Sequence, residues 1–133
     1  MDEKIFNKIT KRLKKQGIEI IMDDEMDRYL NARGAEAMTS NDGKYIYFKQ
    51  GSTPTASAVF EELIHCTQIK KYGQLEQITV NGNKEYLRRE IAAQEKMLRN
   101  AKAYGFTKND IADTQNNIKK YRKAWKDYRY DKK

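Results

Sequence analysis

The stretch that decides the fold is PTASAVFEELIHCTQIKKY, from Pro54 to Tyr72. Ser52 or Thr53 can cap a helix, Pro54 suits its first turn, and Gly73 can end it, so this stretch is predicted to form one helix. At about 100° per residue, one broad face is apolar and is expected to face the core; its members are Ala56, Val59, Phe60, Leu63 and Ile64. Apolar residues flank the adjoining polar stripe, so its side chains need partners; they are Glu61, His65, Gln68 and Tyr72.

Within this helix, Glu61-Glu62-x-x-His65 differs at one position from the metallopeptidase motif His-Glu-x-x-His. In that motif, ligands at i and i+4 bind zinc from one helix face, and the Glu at i+1 activates a water molecule. A carboxylate can also bind zinc, so a mixed Glu/His site is feasible. Acidic ligands are chemically harder than imidazoles, so such a site would be less selective for zinc. The alternative is a buried Glu–His pair at i, i+4 whose members satisfy each other without a metal.

A second acidic residue is predicted to lie inside an apolar arc. The stretch 84–104 is typical of a long helix that a following glycine ends. Projected angles place Glu90 and Gln94 within the apolar arc of this helix, whereas Glu95 lies outside it. Glu90 could therefore meet the Glu/His stripe as a third metal ligand, or it could pair with an Arg, Lys or Tyr across the helix contact.

Three short motifs carry a resemblance to a known family: Phe60-Glu61-Glu62-x-x-His65-x-x-Gln68, Arg89-Glu90-Ile91-x-Ala93-Gln94 and Asn100-Ala101-x-x-Tyr104-Gly105. Together, over roughly residues 35–121, they resemble the zincin-like metallopeptidase toxin domains of bacterial polymorphic toxin systems. The resemblance implies a compact αβ domain. It also implies a metal-dependent peptide hydrolase or its inactive descendant, with a role in conflict between microbes or between phage and host.

The same resemblance assigns roles to individual residues. It implies metal ligands at Glu61 and His65, with Glu61 standing where a zincin has histidine, and a later helical ligand at Glu90. It implies that Glu62 activates the attacking water. In the mechanism that we expect, Zn²⁺ is the cofactor, and further side chains orient the ligands or stabilise the oxyanion. The orienting residues are Gln68 or Gln94, and the oxyanion residues are Tyr72 or Tyr86.

Length and composition indicate one domain. A chain of 133 residues can bury a single core. Because 35% of the residues are charged and only 38% are hydrophobic, this core is expected to be small. No run approaches the roughly 18 apolar residues of a membrane helix, and Met1 to Lys4 lacks a secretory apolar region. We therefore expect a soluble protein, cytoplasmic or secreted by a route that needs no signal peptide.

Cys66 is the one cysteine, so no intramolecular disulfide can form. It follows His65 directly, and neighbouring side chains on a helix point about 100° apart. Catalysis by a Cys–His pair within this helix is therefore not expected.

The net charge of +8 is concentrated at the two ends of the chain. Residues 1–16 carry six basic and two acidic side chains, and residues 119–133 carry eight and two. The ends therefore contribute +4 and +6, and the middle contributes −2. These ends could bind nucleic acid, an acidic protein or an anionic membrane surface, although solvated helix faces also explain them.

The remaining stretches alternate helix and strand. Residues 3–16 predict an amphipathic helix, residues 18–22 a short strand, and Asp23 or Asp24 the cap of a short helix. A hairpin is predicted from 35–40 and 44–49 around the turn Asn41-Asp42-Gly43.

Beyond the central helix, residues 78–80 could form a strand and 81–83 a turn. Thr107 and Asp110 resemble a capping box that opens a last helix. Its apolar seam is expected to pack on the helix 84–104, and consists of Ile111, Thr114, Ile118, Tyr121, Trp125 and Tyr128.

These patterns predict an α+β fold over residues 1–133, a helix-rich single domain with four main helices, one short helix and a small antiparallel sheet that resembles a minimal zincin. The expected function is hydrolysis of a peptide bond in a protein or peptide substrate by a water that zinc activates. Two alternatives stay open. One is a catalytically inactive protein that binds or inhibits a partner through its basic ends, and the other is a nucleic-acid binder.

Overall fold

The computed structural model describes residues 1–51, 53–74 and 84–131, with side chains as far as residue 127. Contacts divide the chain into two compact units, Met1–Gln74 and Leu75–Lys133. The described residues contain five helices and a three-stranded sheet, which confirms the α+β, helix-rich fold class. The assignment of residues 1–133 to one zincin-like domain stays a prediction.

The first unit contains three helices and all three described strands, in the order α1 (Glu3–Lys15), β1 (Glu19–Ile21), α2 (Asp24–Arg33), β2 (Ala37–Thr39), β3 (Tyr45–Phe48) and α3 (Ala56–Tyr72). Side chains fix where the first two helices begin. Asp2 accepts a hydrogen bond from the amide of Lys4 at 2.7 Å, and Asp23 accepts one from the amide of Met26 at 2.8 Å. Both are N-caps, and the second is one of the two that the sequence predicts.

The sheet has the order β1-β3-β2 and is mixed. β2 and β3 form the expected antiparallel hairpin, with Met38 opposite Tyr47. β1 runs parallel to β3, with Ile20 opposite Ile46. The expectation of a purely antiparallel sheet therefore needs correction at β1. The reason is topological: α2 and β2 lie between β1 and β3 in the chain, so β3 returns in the direction of β1.

The core of the first unit lies between its helices and the sheet. Six buried side chains form it: Phe6, Leu13, Ile46, Phe48, Val59 and Cys66. The rings of Phe6 and Phe48 meet edge to face, with centroids 5.7 Å apart. α1, β3 and α3 all contribute to this cluster, so α3 is anchored to the sheet by its apolar face.

The start of α3 differs from the expectation. Its N-cap is Thr55, whose hydroxyl accepts a hydrogen bond from the amide of Ala58 at 3.2 Å, and Pro54 therefore precedes the helix instead of lying in its first turn. Thr53 is not the cap, and Ser52 lies outside the described residues. Three adjacent residues have hydroxyl side chains, so composition alone does not select among them.

The second unit pairs α4 (Lys84–Arg99) with α5 (Lys108–Asp131). α4 ends five residues before the predicted end at Tyr104. Asn100 follows its last residue, and the Asn100 side chain donates to the carbonyl of Lys96 at 2.8 Å, which satisfies a carbonyl of the last turn. The chain then turns through Gly105, which has a φ of 69°.

The predicted capping box opens α5. The Thr107 amide donates to Asp110 Oδ2 at 2.9 Å, and the Asp110 amide donates to Thr107 Oγ1 at 3.1 Å. The predicted seam then packs on α4: Thr114 and Ile118 are buried, and the ring of Tyr121 meets that of Tyr86 at 6.4 Å.

Some predictions fall on residues that the structure does not describe. They are the strand at 78–80, the turn at 81–83 and the side chain of Tyr128. Over the described part of the chain, no helix combines the length and the apolar character needed to cross a membrane.

The hairpin turn packs closely on α3. Gly43 has a φ of 72°, and a Cβ at this position would lie 3.1 Å from Cγ2 of Ile69. Gly51 also has a positive φ, 98°, but a Cβ there would meet nothing within 4 Å. The two glycines therefore separate the cost of backbone strain from the cost of contact with α3.

We expect Gly51→Ala to lower the free energy of unfolding by about 1 kcal/mol through backbone strain alone. Gly43→Ala should lower it by about 1 kcal/mol more, because Ile69 must move. Urea unfolding followed by circular dichroism measures both. Equal losses for the two variants would contradict the close packing of this turn on α3.

Candidate metal centre

Glu61 and His65 lie one turn apart on the same face of α3. Nε2 of His65 is 3.8 Å from Oε1 of Glu61, and the two side chains are 17% and 24% exposed, in that order. The spacing follows from the helix itself, since residues at i and i+4 are neighbours on its surface. Both side chains are therefore accessible from one direction, as two ligands of one ion must be.

Gln68 holds the other side of the imidazole. Its Oε1 lies 3.0 Å from Nδ1 of His65, and Gln68 itself is buried. A carbonyl oxygen can only accept, so a neutral imidazole that donates to it from Nδ1 keeps its lone pair on Nε2, the atom that faces Glu61. In that tautomer Nε2 is able to bind a cation. This is the kind of contact that the sequence predicts for Gln68.

Glu90 is a buried carboxylate on α4. It is 7% exposed, and Gln94, one turn later, is fully buried. The helix projection predicts both placements. Glu95, predicted to lie outside the arc, forms a salt bridge with Arg122 of α5 at 3.1 Å.

Glu61, His65 and Glu90 form a group that could hold a metal ion. Each residue offers one ligand atom, and these atoms all lie within 4.8 Å of one another. Tetrahedral zinc with bonds of about 2.0 Å would have its ligand atoms roughly 3.3 Å apart. The limit of 4.8 Å for this group is wider than that spacing. Its members are the three residues that the sequence predicts as ligands.

Glu62, the residue after Glu61, contacts the sheet. It is 6% exposed, and its Oε2 accepts a hydrogen bond from the Thr39 hydroxyl at 2.8 Å. Thr39 is the last residue of β2, so a strand holds the carboxylate that the sequence predicts as general base. The sequence does not reveal Thr39 as a partner of Glu62, because 23 residues separate the two and no local pattern links them.

The two tyrosines proposed for the oxyanion differ in environment. Tyr72 is 61% exposed and carries the Lys71 ammonium over its ring at 5.2 Å. It lies seven residues beyond His65, which is about 10 Å along a helix axis. Tyr86 packs its ring against Tyr121. Roles for both tyrosines, and for Gln94, stay predictions.

Cys66 is unsuited to nucleophilic catalysis. It is buried among the core side chains of the first unit. Burial raises the pKa of its thiol from 9.0 to about 11, against the opposing effect of a hydrogen bond with Thr39. At neutral pH the thiol is therefore protonated and a poor nucleophile, in agreement with the sequence-based argument against a Cys–His pair.

Comparisons of the chain with protein-family models, with curated proteins and with solved structures find no match. The functional argument for this chain therefore rests on its own residues, above all on the group of three ligand atoms.

Thr39→Val should lower the free energy of unfolding by about 1–3 kcal/mol, because it removes a donor from the buried Glu62 carboxylate. Thr39→Ser keeps a hydroxyl and should recover most of that loss. Urea unfolding at neutral pH measures both variants. If Thr39→Val unfolds at the same urea concentration as the unmodified protein, the hydrogen bond from Thr39 to Glu62 does not stabilise the fold and the prediction fails.

Proposed function

We propose that this chain is a metal-dependent hydrolase of peptide bonds, resembling a zincin. Glu61, His65 and Glu90 would hold a divalent cation, and Glu62 would be the general base. The observation that supports this most strongly is the proximity of the three ligand atoms, all within 4.8 Å of one another. A role in conflict between microbes, or between phage and host, belongs to the same proposal and derives from the motifs around these residues.

The chemistry of the donor set fits a divalent cation. As metal ligands, two carboxylates and one imidazole would together carry a charge of −2, which an ion of charge +2 would neutralise. Zinc accepts both carboxylate oxygen and imidazole nitrogen. Since two of the three ligands are oxygens, discrimination against Mn²⁺ should be weaker than in a site with two histidines.

The protein side chains then divide the work of the reaction. A bound cation would supply a Lewis acid that polarises the substrate carbonyl. Glu62 would take a proton from the attacking water and return it to the leaving amine. Thr39 would hold the Glu62 carboxylate in position, and Gln68 would keep the His65 lone pair on Nε2.

The remaining assignments complete the proposed site. Gln94 would orient Glu90 from one turn along α4, and Tyr72 or Tyr86 would donate a hydrogen bond to the oxyanion of the tetrahedral intermediate. These roles are proposed together with the mechanism.

The first experiment measures zinc binding to the purified full chain by calorimetry and elemental analysis. We expect about one equivalent of zinc per chain, because the group offers one set of ligands. His65→Ala and Glu90→Gln should each weaken binding by more than the 10–100-fold typical of an outer hydrogen-bonding residue. Gln68→Leu should weaken it by 10–100-fold.

Glu95→Gln is the matched control for Glu90→Gln. Glu95 lies on the same helix and pairs with Arg122, so it is outside the ligand group. Its variant should bind zinc as the unmodified protein does. Absence of bound zinc, or equal binding by the Glu90→Gln and Glu95→Gln variants, would contradict the proposed site. The three residues would then be a metal-free polar network, as in a catalytically inactive binding protein.

The second experiment tests catalysis on a library of peptides made from a digested bacterial proteome. Zinc-loaded protein should create new peptide termini that mass spectrometry detects. Glu62→Gln should lower the cleavage rate by about 10²–10⁴-fold, the usual contribution of a general base, while zinc stays bound. Glu36→Gln is the control, since the Glu36 side chain is 82% exposed and pairs with Lys49.

Two outcomes would overturn the hydrolase proposal. One is a protein that binds zinc but creates no more new termini than its His65→Ala variant. The other is a Glu62→Gln variant that cleaves at the original rate.

A further inference from the structure

A groove of about 980 Å³ lies in the first unit, away from the Glu/His face of α3. α1 and α3 form its two long walls, and the hairpin turn lines one end. Along α1 it extends from Ile5 to Gln16, which corresponds to about 16 Å, or three turns of helix. The proposed peptidase chemistry uses none of the residues that line it.

The walls of the groove are apolar and open to water. α1 contributes Ile5 and Ile9, and α3 contributes Leu63 and Ile69. Ile5 is 52% exposed, so about half of this apolar residue is in contact with water. The other residues of α1 are mostly polar. A third amphipathic helix can pack on an apolar stripe of this kind between two adjacent helices.

The end of the groove near the hairpin turn is cationic. Arg12, Lys44 and Lys70 line it, with Asp42 as the single acid among the lining residues. The Asp42 carboxylate serves the turn: it accepts from the Ser40 hydroxyl at 2.6 Å and from the Lys44 amide at 3.0 Å. The net charge of the lining is +2, from three cations and one acid.

Helix-end stabilisation explains only part of this charge. Arg12 and Lys70 lie in the last turns of α1 and α3, where cations offset the helix dipole. Lys44 lies on no helix, yet it lines the same end. α1 also carries six basic residues against one acid, Glu3. The charge at this end therefore exceeds what two helix ends require.

We propose that this groove binds an amphipathic helix of a partner protein, about three turns long, with its acidic N-terminal turn at the cationic end. Acidic side chains there would meet Arg12, Lys44 and Lys70. Acidic side chains in that first turn would also be stabilised by the partner helix's own dipole. The apolar stripe of the partner would cover Ile5, Ile9 and Leu63.

The openness of the groove favours a helix over a small anionic amphiphile. Small-molecule sites commonly bury 70–90% of their ligand. A single alkyl chain in a groove whose wall residue Ile5 is half exposed would stay largely in water. An amphipathic helix would cover the apolar walls with its apolar face and present its polar face to water.

The test is a selection from displayed helical peptides of 16 residues, with a fixed apolar stripe and randomised flanking positions, against the full chain. Enriched peptides should carry Asp or Glu in the first turn. A synthetic copy should bind at least tenfold more tightly than the same peptide with Lys at those positions.

Matched variants decide where the peptide binds. Ile5→Glu changes an exposed wall residue and should weaken binding at least tenfold while the protein stays folded. The double variant Arg12→Glu with Lys70→Glu should reverse the preference toward the Lys-bearing peptide. Lys15→Glu with Lys71→Glu makes the same charge change on the same two helices, outside the lining, and should leave the preference for acidic peptides intact.

Three outcomes would overturn the proposal: enriched peptides without an acidic first turn, equal effects of the two double variants, or full binding by Ile5→Glu. Displacement of every enriched peptide by sodium decanoate below its micelle concentration, with direct binding of decanoate, would also overturn it. In that case the groove is a site for alkyl carboxylates. None of these results depends on zinc, so they leave the hydrolase proposal to its own tests.

Discussion

Two carboxylates and one imidazole within 4.8 Å of one another set the electrostatic constraint on which this account depends. Two ionised carboxylates within that distance would repel each other by on the order of 3 kcal/mol or more at an effective dielectric constant of 20. In the proposed site, a divalent cation bound by the three ligand atoms would offset this repulsion. The hydrogen bond from His65 to Gln68 fits this reading, because it leaves the Nε2 lone pair available.

α3 is the element that organises the first unit. Its apolar face contributes Val59 to the core around Phe48, which fixes the helix against the sheet. A second face presents Glu61 and His65, and between the two, Glu62 reaches the Thr39 hydroxyl on β2. A third face forms a wall of the groove. One 17-residue helix thus contributes to a candidate metal centre and to a separate apolar groove, so that the two proposals can be tested independently.

The features that the sequence predicts well are those that neighbouring residues determine. The capping box of Thr107 and Asp110, the Asp23 cap and the i, i+4 placement of Glu61 and His65 depend on a few adjacent positions. Burial of Glu90 and Gln94 also follows from one helix and its apolar periodicity. In each case the physical cause lies within about one helical turn or one apolar face, so a single sequence contains it.

The features that the sequence does not predict depend on distant or competing residues. Thr39 and Glu62 are 23 positions apart, and the parallel pairing of β1 with β3 depends on how the chain returns through α2. The sequence does not identify the cap of α3, because adjacent hydroxyl residues compete for one role. It does not identify the end of α4, because the Asn100 side chain satisfies a carbonyl that the next turn would otherwise use.

The single histidine makes the central claim directly measurable. Long-range proton–nitrogen NMR of His65, recorded with and without one equivalent of zinc, reports each ring nitrogen separately. The account predicts a neutral ring with its proton on Nδ1 in the free protein, and a shift of the Nε2 resonance on addition of zinc while Nδ1 stays protonated. A spectrum that zinc leaves unchanged, or a ring that carries its proton on Nε2, would contradict it.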